Sequence, residues 1–221
     1  MKKILSLLIL MNCINGLSAQ TGKSIDKKGV NIYYGNYVKE IKSEKDLPEN
    51  IQLNLNGYLN KILPTIIDSI TFSHGQIIDL QKMFKDEPLT YKRLRIIPKY
   101  ELTFSLKNKS IGIQNYNLEI ALDEYGQILE TNWPKEIIDF NDFKSLSEIE
   151  SISLNHAKEK NIEYISYEAD LIYSKRTDKL IWIINLVIKK EVDKSEFYTI
   201  EIPWNSIKIS SEGKSYQKTV Y

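Results

Sequence analysis

The sequence predicts an α+β fold: two similar helix-plus-antiparallel-sheet units behind an N-terminal signal peptide. Three observations predict it. Apolar residues recur at helical spacing in two places, over Ile51, Leu55, Leu59 and Ile62, and over Leu146, Ile149, Ile152 and Ala157. After each helix the apolar period changes to two, as in Tyr100, Leu102, Phe104 and Leu106, the mark of strands with one buried face. The order of elements then repeats: a helix, a strand, a hairpin-linked pair and a short final strand. The halves divide at residues 47–134 and 135–221.

Residues 1–19 read as a secretory signal. Lys2 and Lys3 precede an apolar run from Ile4 to Met11, and Gly16-Leu17-Ser18-Ala19 supplies small residues for cleavage after Ala19. The run is shorter than the ~20 residues a helix needs to cross a bilayer. A competing reading places a lipid on Cys13, the only cysteine, although Met11-Asn12 are poor residues to precede an acylated cysteine. With cleavage after Ala19 the chain has no thiol and no disulfide, so its core must hold it. The full chain carries +1, and loss of Lys2 and Lys3 leaves the remainder near −1. That charge gives no long-range attraction to nucleic acid or anionic lipid.

Residues 20–46 form a leader with an edge strand. Gln20 to Gly29 is polar, and Val30 to Lys42 adds a short strand with Ile32, Tyr34 and Val38 inward. Leu47-Pro48-Glu49 starts the first helix and Pro64 ends it, with Gly57 weakening its middle. Ile66 to Ser73 reads as a β-branched strand, His74-Gly75 as a turn, and Gln76 to Lys85 as a short helix. A strand through Tyr100 to Leu106 turns at Asn108-Lys109-Ser110. It returns over Ile111 to Leu122 with Leu118, Ile120 and Leu122 inward. Asp123-Glu124-Tyr125-Gly126 is a turn with Gly at a positive φ, and Gln127 to Thr131 is the next strand.

Trp133-Pro134 breaks the sheet, and Lys135 to Lys144 connects the halves. Ser145 or Ser147 caps the second helix, with Glu148 or Glu150 closing a capping box, and Asn161 suits its stop. His156 shares the apolar face of that helix. Strands follow over Tyr164 to Ser174, Leu180 to Ile188, Phe197 to Ile202 and Ser206 to Ile209. The Leu180 to Ile188 run is near-continuously apolar and too short for a membrane, so it reads as a central strand buried on both faces. The halves rhyme at Tyr116-Asn117-Leu118-Glu119-Ile120 and Tyr198-Thr199-Ile200-Glu201-Ile202, which points to a tandem repeat, with the two sheets joining into one continuous sheet.

The run Leu118-Glu119-Ile120-Ala121-Leu122-Asp123-Glu124-Tyr125-Gly126-Gln127-Ile128-Leu129 resembles the PepSY-type domains of exported bacterial proteins. The resemblance extends over residues 48–131 and, more weakly, 145–210, where Pro203-Trp204-Asn205-Ser206 replaces the Asp/Gly turn. It implies a small binding or inhibitory module and carries over no catalytic residue.

Other motifs dissolve on inspection. Thr21-Gly22-Lys23-Ser24 lacks the glycine a phosphate loop needs five residues before its Gly-Lys-Ser. Asp139-Phe140-Asn141-Asp142-Phe143 puts Phe143 and Lys144 where a calcium loop needs a ligand and a glycine. No Gly-x-Ser-x-Gly elbow is present. Glu148 and Glu150, two apart on a helix, do not share a face. Tyr91-Lys92-Arg93-Leu94-Arg95 with Lys99 is the densest basic patch and reads as a solvated strand edge. His74 and His156 are the only imidazoles, too few for a thiol-free structural zinc site, and no cofactor is expected. The remaining lead is aromatic. Tyr33-Tyr34, Tyr125, Trp133, Tyr198 and Trp204 cannot all point inward on alternating strands, and surface aromatics near turns suit protein recognition. The expectation is therefore an exported, non-enzymatic protein that meets another protein through Trp133, Trp204, Tyr125 and Tyr198. The competing readings are an envelope hydrolase or metal-dependent enzyme around His74 or His156, and a structural envelope component.

Overall fold

The computed structural model describes residues 36–86, 88, 97–191 and 194–218. The signal, Cys13, the leader, Tyr33-Tyr34 and the basic run 91–95 lie outside these residues. Contacts divide the chain between Val38 and Lys39, and the second unit, Lys39–Tyr221, holds both sheets. Among the described residues the elements are α+β: three α-helices and two antiparallel sheets.

The first sheet has the order β1 (Val38–Ile41), β2 (Ile70–Ile78), β3 (Tyr100–Asn108), β4 (Ile113–Leu122) and β5 (Ile128–Thr131). The helix α1 (Glu49–Ile62) buries Ile51, Leu55, Leu59 and Ile62, the stripe its sequence spacing sets. Tyr100, Leu102, Phe104 and Leu106 of β3 face Leu122, Ile120, Leu118 and Tyr116 of β4 in register, and all eight are buried. The opposite face is polar, with Thr103 opposite Glu119 and Ser105 opposite Asn117.

His74-Gly75 is not a turn. Both residues lie within β2, where the register with β3 shifts between Phe72 and His74. A Cβ at Gly75 would stand 2.9 Å from Leu102 Cδ2 and 3.0 Å from Ile41 Cγ1, so glycine here lets β1 and β3 close against β2. The short helix α2 follows at Leu80–Asp86.

The second sheet has the order β6 (Ser166–Ser174), β7 (Lys179–Lys190), β8 (Lys194–Pro203) and β9 (Ser211–Lys218). The helix α3 (Leu146–Glu159) begins with Ser145 and Glu148 in a reciprocal capping box, and Asn161 follows it at φ 54°. The strand β7 is central. Leu180, Trp182, Ile184 and Leu186 are buried on one face, and Ile181 and Val187 on the other.

Two further expectations are corrected. The final strand is β9, not Ser206–Ile209, which follows a turn closed by the Ser206 N–H donating to the Pro203 carbonyl at 3.0 Å. The sheets are also two, not one continuous sheet. Between them residues 132–145 leave the ladder and send aromatic side chains inward. Trp133 meets Tyr116 edge-to-face at 5.6 Å and stacks on Phe140 at 6.3 Å. Phe140 stacks on Phe143 at 5.8 Å, and Phe143 meets Trp182 at 6.1 Å and Trp204 at 5.6 Å. One buried cluster thereby runs from α1 and the first sheet through Trp133 and Phe143 to Ile149, Trp182 and Ile200. Lys144 pins the linker to the second sheet: its carbonyl accepts from Trp182 Nε1 at 3.1 Å, and its N–H donates to the Trp204 carbonyl at 2.8 Å.

Candidate functional site

The four aromatics expected to form a recognition surface are not brought together. Trp133 is fully buried, so its expected exposure is corrected. The indole packs against Tyr116 and Phe140, out of reach of any partner. Trp204 is half-buried against Phe143. Tyr198 is half-buried on β8, and its hydroxyl donates to Glu212 at 2.7 Å. Tyr125 alone is well exposed, at 66 %. Its turn is fixed by Asp123 Oδ1, which accepts from Tyr125 N–H at 2.9 Å and Gln127 N–H at 2.8 Å, and by Gly126 at φ 83°.

The histidines stand on different elements. His74 is exposed on β2, with Nδ1 3.3 Å from Ser73 Oγ. His156 sits on α3, and its Nε2 donates to Glu212 Oε2 at 2.5 Å. The same oxygen receives the Tyr198 hydroxyl, while Glu212 Oε1 accepts from Lys160. These three donors hold the Glu212 carboxyl down to about 2, with the Lys160 bond the largest cause. A carboxylate so saturated takes up no proton near neutrality. The cluster works as a clamp that ties α3 to the edge strand β9. Beside it lies a shallow groove of about 440 Å³ between α3 and residues 207–209. Among the described residues no group of three or more His, Cys, Asp or Glu is placed to hold a metal ion. No helix among them is long and apolar enough to cross a membrane.

The surface with the most open chemistry is the edge strand β6. Among the described residues no strand pairs with its outer edge. Its register with β7 is unbroken from Ser166↔Val187 to Ser174↔Lys179. The Trp204 N–H bonds the Leu180 carbonyl, which makes the even residues of that part of β7 the ones that bond β8. The odd residues of β7 therefore bond β6, at Ser166, Glu168, Asp170 and Ile172. Tyr167, Ala169 and Leu171 turn their N–H and C=O groups outward, away from the sheet. Large apolar side chains flank this backbone: Ile165 is 72 % exposed, Tyr167 and Ile172 39 % each, and Tyr164 38 %. Tyr167 is steadied by its hydroxyl, which donates to Glu150 of α3 at 3.3 Å.

At its far end β6 meets the first sheet across a cleft of about 270 Å³, lined by Asn115, Asn117, Asn132, Leu171 and Tyr173. Here Asn132 substitutes for a strand where β5 stops. Its Nδ2 donates to the Asn117 carbonyl and its Oδ1 accepts from Glu119 N–H, both at 2.8 Å. Burial first, and the hydrogen bond to Asp178 second, push the Tyr173 hydroxyl up to about 12, so it stays a donor throughout the physiological range.

No protein-family model, no curated protein and no solved structure matches this chain. The site therefore rests on its own geometry. From sequence, 164–174 reads as a strand but is not among the expected site residues. The available signal was the text Tyr167-Glu168-Ala169-Asp170-Leu171, which places Tyr167 and Leu171 on one face of a strand and the carboxylates Glu168 and Asp170 on the other.

Proposed function

We propose that the protein is an exported, non-catalytic binding protein that takes an extended segment of another protein onto the free edge of β6. One observation carries the reading. An edge strand of nine residues, without proline, leaves outward backbone groups between four exposed large side chains. Edge strands of this kind are templates for strand addition, in which main-chain hydrogen bonds give affinity and alternate side chains give selectivity. The PepSY-type resemblance of residues 118–129 points the same way, toward a binding or inhibitory module. The two units are a tandem repeat in this reading. The rhyming segments Tyr116–Ile120 and Tyr198–Ile202 each occupy the third strand of a four-strand meander that follows a helix. Export rests on the basic, apolar and small-residue succession of residues 1–19.

The test is capture from the host's envelope extract by the tagged full-length protein, with Ala169→Pro as the comparison. Proline removes an outward N–H that the β6–β7 ladder does not use, so the variant keeps its fold and its unfolding midpoint. A saturable partner lost with Ala169→Pro and retained with Tyr125→Ala supports the reading. A partner that binds the proline variant undiminished refutes it.

A further inference from the structure

The acidic character of β6 specifies the chemistry of what it takes. Residues 161–174 contain Glu163, Glu168 and Asp170 and no lysine or arginine. Glu168 and Asp170 are exposed and project from the same face, about 6.6 Å apart along the strand. Across the ladder they face Asn185 and Ile183, so β7 offers them no cation. Among the described residues the salt bridges lie elsewhere: Glu212, Glu130, Glu191 and Glu196 supply their carboxylates. Among the described residues the two carboxylates therefore have no ion-pair partner, and they stand beside the outward backbone groups of Tyr167, Ala169 and Leu171.

A strand added to β6 sets its alternate side chains beside alternate side chains of β6. On one face they lie against Glu168 and Asp170, and on the other against Tyr167 and Leu171. We infer that the occupant is an extended polypeptide segment of another protein with basic residues at every second position and apolar residues between them. This rests on the strand-addition reading and adds the charge pattern to it. A second copy of the chain fits badly in the central register. Antiparallel pairing of two β6 edges centred on Ala169 sets Glu168 of each copy opposite Asp170 of the other. Like charges directly opposite in a ladder are unfavourable.

The probe is a short, end-capped synthetic peptide of alternating lysine and valine, titrated into the full-length protein. Binding is read by fluorescence anisotropy and by amide exchange of β6. The expected result is saturable binding that protects the Tyr167, Ala169 and Leu171 amides and weakens with added salt. The double variant Glu168→Gln, Asp170→Asn weakens it roughly five- to tenfold, as expected for two solvent-facing ion pairs. An alternating threonine–valine peptide that protects the same amides equally well overturns the charge inference and leaves strand addition standing, as does an alternating glutamate–valine peptide. If no peptide protects those amides, strand addition itself fails. Protection that rises with protein concentration in the absence of peptide overturns the inference in favour of self-pairing.

Discussion

Trp133→Ala is the substitution to which the fold should be most sensitive. The indole is fully buried, edge-on to Tyr116 and stacked on Phe140, within the cluster that joins the cores of both sheets. Truncating a buried Trp to Ala costs about 3–5 kcal/mol, since the surroundings only partly collapse into the void. The two ring contacts account for ~0.5–1.5 kcal/mol each of that loss. Against a total stability of about 5–15 kcal/mol the change is large. Trp133→Phe should behave differently. Trp133 Nε1 is buried and finds no acceptor among the described residues. Phenylalanine keeps both ring contacts and removes that orphaned donor, so the loss should stay below about 1.5 kcal/mol. Urea unfolding followed by far-UV circular dichroism is the assay. With a slope of about 2 kcal/mol per molar urea, the alanine variant should unfold at roughly 1.5–2.5 M less urea, the whole chain in one transition. A loss below about 1 kcal/mol, as for a solvent-facing aromatic, refutes the shared core. So does a split into two transitions in the wild type.

Three further outcomes follow from local geometry. Gly112 has φ 79°, and a Cβ there would stand 2.9 Å from Leu146 N, so Gly112→Ala should destabilise by at least ~1–2 kcal/mol in urea melts. Gly57 is exposed in α1 with open space where a Cβ would be, and Gly57→Ala should stabilise by up to about 1 kcal/mol in the same assay. Ser145→Ala removes the α3 cap and should cost about 1 kcal/mol, seen as a lower thermal midpoint. Acid should act through Glu212. Its carboxyl is held near 2, below the ordinary 4.5, so its contribution is complete above about 4.5 and is lost as pH falls through 2. After solvent screening that contribution is about 1 kcal/mol, and the urea midpoint of Glu212→Gln should fall less between pH 5 and pH 2 than that of the wild type.

The elements legible in the sequence are those whose side chains meet one side of the core. Ile51-Leu55-Leu59-Ile62, the alternation through Tyr100 to Leu106, and the run Leu180 to Ile188 each carry their burial in their spacing. Caps and turns were legible for the same local reason, as with Ser145 and Glu148, Gly126 and Asn161. The strand β9, Ser211 to Lys218, was not legible. It is a polar edge strand that buries little, so no apolar alternation marks it. His74-Gly75 looked like a turn because a glycine that admits a close backbone approach reads the same as one that breaks a strand. Trp133 was misplaced because its burial depends on Phe140 and on the second sheet, not on its neighbours in sequence. The candidate site suffered most. That 166–174 is a strand is written in its residues, but that it is an edge depends on the order β6-β7-β8-β9, a long-range fact.

Hydrogen exchange of individual β6 amides, measured by NMR, tests the account at its centre. In the free protein it predicts an alternating pattern. Glu168, Asp170 and Ile172 are protected by β7, while Tyr167, Ala169 and Leu171 exchange close to the rate of unstructured chain. Uniform protection along β6 would mean that the edge is already covered, and would contradict the proposed function outright.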